Sequence, residues 1–293
     1  MEKKITDLGI TDGDVVIIGE NYDRTSSYHR GSSRAPKMIM KVDQQIENYE
    51  RLTGLNPMEK LRIEYKDLGD LNKLTPEQMV DKVKNTFKEL YKKNKFIISL
   101  GGDHSITNGP LEAISELSKS SDITIVQIDA HFDLRPDDSD YNPKPWGKYA
   151  HSAVMRRAFE LGFKIIPIGV RAYHGELELE FAKKNKIRFF EWGKDDDPKI
   201  SEIIKAIPTK DVYLTIDVDG FDPSVMPSTG TPVPDGLQWR YGMNLFKELF
   251  NKKNVIAADI VEVIPDRITT YNAAQLSYYL IALKQKDILA KKR

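Results

Sequence analysis

Short apolar runs rich in β-branched residues recur along the chain, and helical patterns separate most of them. Runs of this kind are typical of strands that are buried on both faces of a parallel sheet. Their alternation with helices predicts an α/β fold, in which helices cover both faces of a mostly parallel sheet. We predict eight strands, at residues 14–19, 61–65, 95–100, 123–128, 165–170, 187–190, 211–216 and 255–260. We predict helices at residues 75–92, 107–119, 176–186, 197–206, 240–252 and 271–286.

The composition excludes several kinds of site and partner. The 293 residues include no cysteine, which rules out disulfides, thiolate zinc sites and cysteine nucleophiles. Lysine plus arginine and aspartate plus glutamate both number 44, so the charge balance does not indicate a nucleic-acid partner. The sequence shows no signal-peptide pattern and no apolar run near the ~20 residues that span a membrane. We therefore expect a cytoplasmic protein with no membrane partner. Because no linker rich in proline, glycine or serine divides the chain, we also expect a single domain over residues 1–293.

Two of the predicted strands end in clusters of acidic residues. The run 123–128 leads into Asp129–Asp133, and the run 211–216 leads into Asp217–Asp222. Carboxylates held so close together raise each other's pKa, and a cation relieves their repulsion. In open parallel sheets, ligands bind beyond the C-terminal ends of the strands. The two segments therefore indicate a divalent-metal site at that edge of the sheet.

A third strand end completes a ligand set for two metal ions. The run 95–100 leads into Gly101–Ser105, which contains a histidine. Side chains at positions i and i+2 of an extended chain face the same side, so the ligands of each segment can converge. Oxygen-rich ligation with some imidazole suits Mn²⁺, and two divalent ions balance four carboxylates. The predicted ligands are His104, Asp129, His131, Asp133, Asp217 and Asp219.

Three motifs in this order resemble the signatures of the ureohydrolase (arginase/agmatinase) family. They are Gly-Gly-Asp-His-Ser at 101–105, Asp-Ala-His-Phe-Asp at 129–133 and Asp-Val-Asp-Gly-Phe-Asp-Pro at 217–223. Residues 228–232 and 259–262 also match, and the resemblance spans roughly residues 13–285. It implies a three-layer α/β/α fold with an eight-stranded parallel sheet. It also implies a binuclear manganese centre that hydrolyses a guanidino group to urea and an amine.

The resemblance further implies a role for each ligand. Each manganese ion would have one histidine and one carboxylate of its own, namely His104 with Asp133 and His131 with Asp219. Two carboxylates, Asp129 and Asp217, would bridge the ions. Asp103 and Asp222 match motif positions that are not ligands, and we expect them to orient neighbouring groups or brace turns.

Two further residues fit the hydrolysis of a guanidine. His151 matches the family's catalytic histidine and could deliver a proton to the leaving nitrogen together with Asp133. The alternative for His151 is a surface-loop histidine. Glu262 follows the last predicted strand, so its carboxylate could pair with the planar guanidinium; the alternative is a solvated glutamate. Thr231 and Arg135 are the other candidates for substrate binding.

The loop between Asp133 and His151 should select the substrate. It lacks the residues with which arginases read the carboxylate and amine of arginine, since Arg135 and Gly147 stand at the matching positions. We therefore predict an agmatinase, which converts agmatine, a small cationic guanidino compound, to putrescine and urea. Guanidinobutyrase, guanidinopropionase and arginase stay open, because Arg135 could bind a substrate carboxylate. Three acidic residues could attract a dication or form a solvated loop: Asp137, Asp138 and Asp140.

Two loop histidines have less defined roles. His29 lies in a segment that resembles the family's Ser-Tyr-Arg-Pro-Gly loop but has His-Arg in place of Arg-Pro, and we expect a structural or pocket-rim role for it. His174 precedes a predicted helix, and we expect a cap or surface position.

Three other classes of protein share parts of this pattern. Metal-dependent deacetylases have a similar sheet but usually hold one zinc ion with fewer ligands, and metallophosphatases normally show a different His/Asn spacing. A catalytically silent homologue that binds a small molecule would keep the fold alone. The complete ligand set, with His151 and Glu262, favours an enzyme. The family resemblance also implies a homo-oligomer, either a trimer or a hexamer.

Overall fold

One parallel sheet forms the centre of the protein in a computed structural model, which describes residues 6–7, 13–140, 146–194 and 196–292. Its strands in this part of the chain are β1 (Thr6–Asp7), β2 (Val15–Asn21), β3 (Ile63–Asp70), β4 (Phe96–Gly101), β5 (Ile123–Ile128), β6 (Lys164–Val170), β7 (Phe190–Glu191), β8 (Asp211–Asp217) and β9 (Asn254–Val261). They lie in the order β1-β3-β2-β4-β9-β8-β5-β6-β7, and every pair is parallel. The predicted parallel α/β sheet is therefore confirmed.

All eight predicted runs form strands, and the sheet has one short strand more. The additional strand, β1, contains only Thr6 and Asp7, which is too short for any hydrophobic period to reveal it. The run predicted at 187–190 is shorter and later than expected, since only Phe190–Glu191 pairs with β6.

The helices surround this sheet. They are α1 (Ala35–Asp43), α2 (Pro57–Lys60), α3 (Pro76–Lys92), α4 (Asn108–Leu117), α5 (Val154–Glu160), α6 (Gly175–Lys184), α7 (Ile200–Ala206), α8 (Trp239–Lys252) and α9 (Arg267–Lys291). The six predicted helices correspond to α3, α4, α6, α7, α8 and α9. None of the described helices is both long and apolar enough to cross a membrane.

Three short helices, α1, α2 and α5, were not predicted. They have nine, four and seven residues, so a helical period has little length in which to show itself. In α1 the buried positions include Pro36 and Asp43, while Met38 is exposed, so its apolar stripe is poorly marked.

Two apolar layers confirm the three-layer architecture. Successive strand residues point to opposite faces, as in β2, where Val15 and Ile17 belong to one cluster and Val16 and Ile18 to the other. The first cluster includes buried residues of α1, α7, α8 and α9, and the second includes buried residues of α3, α4, α5 and α6. Both faces of the sheet are therefore covered, which is why its central strands β4, β5, β8 and β9 are largely apolar.

The register of the four central strands brings the functional segments to one edge. β4, β9, β8 and β5 are consecutive neighbours in the sheet. Ile128 pairs with Ile216, and Asp217 pairs with Val261, so three strands end at the same level. The chain passes from β4 to β5 over the two positions that β8 and β9 occupy. Such a crossover opens a crevice beyond the C-terminal ends of the strands.

The complete burial of the central strands predicts that truncating a side chain there lowers the stability of the fold. Leu214 is fully buried in β8, so Leu214→Ala should remove apolar contacts and leave a cavity that destabilises the fold by about 2–5 kcal/mol. Leu177→Ala is the control, because Leu177 is 71% exposed and its truncation should change the free energy of unfolding by about 0.5 kcal/mol or less. Denaturant unfolding followed by circular dichroism measures both, and equal effects would contradict the assigned core.

Candidate metal centre and cleft

Each of the four central strands delivers one part of the site. Asp129 follows β5 directly, and Asp217 is the last residue of β8. His104 opens a single 3-10 turn after β4, and Glu262 follows β9. Because the strands are adjacent and end together, four segments that are distant in sequence meet at one place.

One histidine-centred group surrounds His104. Its Nδ1 lies 2.9 Å from Oδ2 of Asp133, 3.2 Å from Oδ2 of Asp129 and 3.5 Å from Oδ2 of Asp217. The imidazole is fully buried. Although carboxylate oxygens are close, Nδ1 makes no hydrogen bond of acceptable geometry among the described residues. A buried nitrogen that faces several carboxylates without a hydrogen bond fits the donor set of a cation site.

A second group surrounds His131 and shares one carboxylate with the first. Nδ1 of His131 lies 3.1 Å from Oδ2 of Asp219 and 3.6 Å from Oδ1 of Asp129. Asp129 thus has one oxygen toward each histidine. Ligand atoms of His104, Asp129 and Asp217 converge within 4.8 Å of one another, as do those of Asp129, His131 and Asp219. The structure therefore brings together all six residues that the sequence predicted as ligands.

The electrostatics of the cluster favour added positive charge. Burial raises the pKa of Asp217 well above its usual range, and the carboxylates of Asp219 and Asp129 raise it further. Burial alone would lower the pKa of His104, but the carboxylates of Asp129 and Asp133 outweigh this and raise it well above its ordinary value. In both groups the neighbouring carboxylates raise the pKa, as closely spaced negative charges do.

Two of the acidic residues are held in a strained backbone conformation. Asp133 has φ of 52° and Glu262 has φ of 62°, a region that costs a residue with a side chain about 1–3 kcal/mol. The Asp133 carbonyl accepts hydrogen bonds from the backbone N–H groups of Met155 (3.0 Å) and Arg156 (3.1 Å). α5, which was not predicted from the sequence, therefore holds Asp133 in place.

Glu262 is held by the loop that carries His104. Its backbone N–H donates to the Gly102 carbonyl at 2.8 Å, and its Oε1 accepts from the backbone N–H of His104 at 2.8 Å. Gly102 has no room for a side chain, since a Cβ there would lie 1.6 Å from the Tyr22 carbonyl oxygen. Gly102 thus permits the loop that carries His104 to approach the Tyr22 backbone closely.

Asp103 and Asp222 brace turns, as expected from the sequence. Oδ2 of Asp103 accepts from both the N–H (2.9 Å) and the hydroxyl (2.8 Å) of Thr25, and its Oδ1 accepts from the Ser105 N–H at 3.1 Å. Asp222 accepts from the N–H groups of Ser224 (2.9 Å) and Gly236 (3.2 Å). Both carboxylates are committed to loop backbone next to the cluster.

A cleft opens above the cluster. His151 and Glu262 line it, as do the other substrate-binding candidates Thr231 and Arg135. His151 begins a short 3-10 turn, and its backbone N–H donates to the Thr25 hydroxyl at 3.1 Å. Nδ1 of His151 is shielded from solvent and has no hydrogen-bond partner among the described residues.

The guanidinium of Arg135 pairs with acidic residues of its own loop. Nη1 lies 2.8 Å from Oδ1 of Asp138, and Nη2 pairs with Asp140. Asp138 is fully buried, so this part of the acidic run does not form a solvated loop. Two of the three acidic residues therefore pair with the Arg135 guanidinium, so Arg135 already has carboxylate partners within the protein. Part of this loop, residues 141–145, lies outside the described residues.

Sequence reasoning missed Glu178, a buried carboxylate of the cleft wall. It lies on α6, is 5% exposed, and accepts from the backbone N–H groups of Leu134 and His174, both at 2.9 Å. The surrounding Glu-Leu alternation does not distinguish it from its exposed neighbours. The one available signal is its helical spacing of four from buried Ala182.

Sequence reasoning also missed Arg171, which follows β6. Its guanidinium donates to the carbonyls of Asp219 (2.6 Å), Val233 (2.7 Å) and Pro234 (2.8 Å). These bonds tie the loop after β8 to the sheet edge, and that loop carries Asp219 and Thr231. The hydroxyl of Thr231 donates to Oδ2 of Asp219 at 3.4 Å.

The two loop histidines lie at the mouth of the cleft. His29 lines it and contacts the Tyr28 ring, with 4.2 Å between ring centroids, which agrees with the expected pocket-rim role. His174 is exposed at the N-cap position of α6, as expected. Its side chain makes no capping hydrogen bond, however, and it lines the cleft.

Comparisons with known proteins agree with this geometry. The arginase-family model matches residues 13–282. The N(1)-aminopropylagmatine ureohydrolase of Synechocystis sp. is 37% identical over 282 residues, which cover 92% of this chain and 89% of that protein. The agmatinase of Pyrococcus horikoshii is 31% identical over 293 residues, which cover 97% of each. The crystal structure of agmatine ureohydrolase of Thermoplasma volcanium superposes with a TM-score of 0.82 and 31% identity, and the match covers 99% of this chain and 96% of that one.

The network around Arg171 can be tested without any ligand. Lysine cannot reproduce the planar fork of donors, so Arg171→Lys should loosen the loop 219–236 while the sheet stays intact. Loss of charge-assisted bonds worth about 1.5–3 kcal/mol predicts hydrogen exchange in that loop at least about tenfold faster. Arg188→Lys, at an exposed position, is the control. Unchanged exchange in the loop would contradict the clamping role.

Proposed function

Because the chain belongs to the arginase family, we propose that it is a manganese-dependent ureohydrolase that converts a cationic guanidino compound, most simply agmatine, to an amine and urea. The observation that carries this proposal is the placement of Asp129, with one oxygen toward each of two histidine-centred groups. A shared carboxylate between two such groups is the arrangement that a pair of divalent ions requires.

The residues present fit two ions, one held by each histidine. His104 and Asp133 would bind the first, His131 and Asp219 the second, and Asp129 and Asp217 would be shared. Two divalent ions would balance the four carboxylates of the cluster. Bound there, Mn²⁺ would supply a hydroxide nucleophile near neutral pH and would polarise the guanidino group.

Glu262 is the residue that we propose binds the guanidinium. Its Oε1 accepts from the His104 N–H, whereas Oε2 lies on the side of Gly230, where a Cβ would be 3.6 Å away. Glu262 and Gly230 both line the cleft, so Oε2 is placed to accept a hydrogen bond from a substrate N–H. Because Glu262 is held by a strained backbone and by His104, it can position the guanidino carbon next to the cluster.

His151 is the residue that we propose delivers a proton to the leaving nitrogen. Addition of water to the guanidino carbon must be followed by cleavage of a C–N bond, and the departing amine needs a proton. His151 lines the cleft and its Nδ1 has no hydrogen-bond partner among the described residues, so the ring is available to exchange a proton there. Asp133 would share this proton delivery, since its carboxylate lines the same cleft.

Glu178 supports a substrate with a cationic tail. Its carboxylate lines the cleft, and no lysine or arginine of the described chain lies within salt-bridge distance of it. Burial raises the pKa of Glu178, whereas the N–H groups of His174 and Leu134 lower it. An ammonium group would complement this buried carboxylate, whereas a second carboxylate would be repelled. Agmatine and N(1)-aminopropylagmatine meet this requirement, and the names of the relatives point to the same two compounds.

Assembly, location and domain structure follow as further proposals. Residues 1–293 would form a single catalytic domain, since one sheet and one family match span almost the whole chain. The family resemblance supports a homo-oligomer, a trimer or hexamer, and the sequence pattern supports a cytoplasmic location. Light scattering coupled to size-exclusion chromatography measures its mass in solution.

A substrate panel tests the proposed activity. Urea release should be measured with Mn²⁺ and agmatine, N(1)-aminopropylagmatine, 4-guanidinobutyrate, 3-guanidinopropionate and arginine. We expect turnover of the first two to exceed that of the guanidino acids. Preference for a guanidino acid would identify a guanidinobutyrase, guanidinopropionase or arginase, and no urea with any compound would identify a catalytically silent homologue.

The role of Glu178 predicts a change in selectivity. Glu178→Gln keeps the shape but removes the charge, so kcat/KM for agmatine should fall about 10–100-fold, mainly through KM. The value for 4-guanidinobutyrate should change less, since that substrate has no distal ammonium. Glu176→Gln, on the exposed face of the same helix, is the control. An equal loss for both substrates would contradict a role in recognising the tail.

The metal role predicts joint loss of metal and activity. Asp133→Ala or Asp219→Ala should lower the manganese content and abolish urea release, because each removes one ligand of one ion. Removal of manganese from the wild type with a chelator should abolish turnover, and added Mn²⁺ should restore it. Asp122→Ala is the matched control, because Asp122 is exposed and precedes the N-terminal end of β5, the end away from the cluster. Full turnover by metal-free protein would refute the proposal.

A further inference from the structure

On the side of the His104 ring away from the carboxylates, Nε2 begins a chain of buried hydrogen bonds. Nε2 of His104 lies 2.8 Å from the hydroxyl oxygen of Thr215, and that hydroxyl lies 2.6 Å from Oδ1 of Asp259. Thr215 lies on β8 and Asp259 on β9, directly paired in the sheet. All three residues are fully buried. Residues of the two adjacent strands β8 and β9 thus hold the ring on the side opposite the carboxylates.

Asp259 is the common acceptor of this network. Its Oδ2 accepts from the hydroxyls of Thr107 (2.9 Å) and Tyr213 (2.7 Å), and its Oδ1 accepts from Thr215. Burial raises the pKa of Asp259, while His104 and the three hydroxyls act against that rise. Three hydroxyl donors therefore converge on one buried carboxylate, which in the described part of the chain has no ion pair with a lysine or arginine.

The directions of these bonds place the ring proton of His104. A threonine hydroxyl carries a single proton. Because Thr215 donates that proton to Asp259, its oxygen must accept from the N–H at Nε2 of His104. A neutral imidazole with its proton on Nε2 has its lone pair on Nδ1, and Nδ1 faces the carboxylates of Asp129, Asp133 and Asp217.

His131 has no such support in the described part of the chain. Its Nδ1 also faces the cluster, but its side chain is 31% exposed and no hydrogen bond to its Nε2 is found there. The network therefore acts on one of the two histidine-centred groups only. A change in the network should therefore affect metal binding at the His104 group alone, whereas a general disturbance of the cluster would affect both groups.

We propose that Thr215 and Asp259 are positioning residues, which set the proton of His104 on Nε2 and so hold Nδ1 ready to bind the metal ion of the His104 group. The proposal rests on the proposed function, because it requires two ions at the cluster. Partners of this kind orient a ligating imidazole, and their removal weakens metal binding about 10–100-fold. The effect should fall on one ion of the pair.

Thr215→Val is the direct test, since valine keeps the volume and removes the hydroxyl. Manganese binding should be titrated by calorimetry, and the Mn²⁺ electron paramagnetic resonance spectrum should be recorded for coupling between two ions. We expect the wild type to bind two ions with a coupled signal. Thr215→Val should bind one ion about 10–100-fold more weakly and lose the coupled signal at limiting Mn²⁺.

Three further variants make the test specific. Thr215→Ser restores a hydroxyl and should recover binding and coupling. Thr124→Val is the matched control, because Thr124 is a fully buried threonine on β5 whose hydroxyl, among the described residues, hydrogen-bonds with Thr209 alone, at 2.6 Å. Tyr213→Phe removes one donor to Asp259 at nearly constant volume and should weaken the same ion by a smaller factor. It decides the question if Thr215→Val does not fold.

The outcomes separate this inference from the proposed function. A wild type that binds fewer than two ions would overturn the binuclear centre itself. A wild type with two ions and a Thr215→Val variant with unchanged affinity and coupling would overturn the positioning role. Failure of Thr215→Ser to recover binding, or an equal loss in Thr124→Val, would also overturn it.

Discussion

Repulsion among buried carboxylates is the constraint on which the rest of the structure depends. Asp129, Asp133, Asp217 and Asp219 are each at most 6% exposed, and they crowd around two imidazoles. Such a cluster is unfavourable unless cations bind to it, and its geometry has to be imposed by the fold. The parallel sheet does this, because adjacent strands end at one level and deliver their ligands together.

The surroundings of the cluster hold it in a geometry that the isolated segments would not adopt. Asp133 and Glu262 have positive φ, and α5 and the Gly102 loop hold these conformations through backbone hydrogen bonds. Around the cluster, Asp103, Asp222 and Arg171 connect loops to one another through backbone groups. Rigid support of this kind is what a site needs if it is to place a guanidino carbon within reach of a nucleophile.

Most of the fold and the six residues that cluster at the site could be predicted because both have local signatures. Strands buried on two faces are continuous apolar runs, and the six clustered residues follow three of those runs closely in sequence. Glu178 and Arg171 escaped prediction because their partners are backbone groups of distant segments, such as Leu134, 44 residues away. The pairing of Arg135 with Asp138 likewise depends on how one loop folds, and the short helix α5 has too little length to show a period.

The central claim is that two manganese ions share Asp129 and Asp217 at this cluster. Anomalous diffraction at the manganese edge from crystals of the Mn²⁺-loaded protein measures this directly. The account predicts two anomalous peaks roughly 3.5–4 Å apart, one beside Nδ1 of His104 and one beside Nδ1 of His131, with Asp129 between them. A single peak, or two peaks that Asp129 does not bridge, would contradict it.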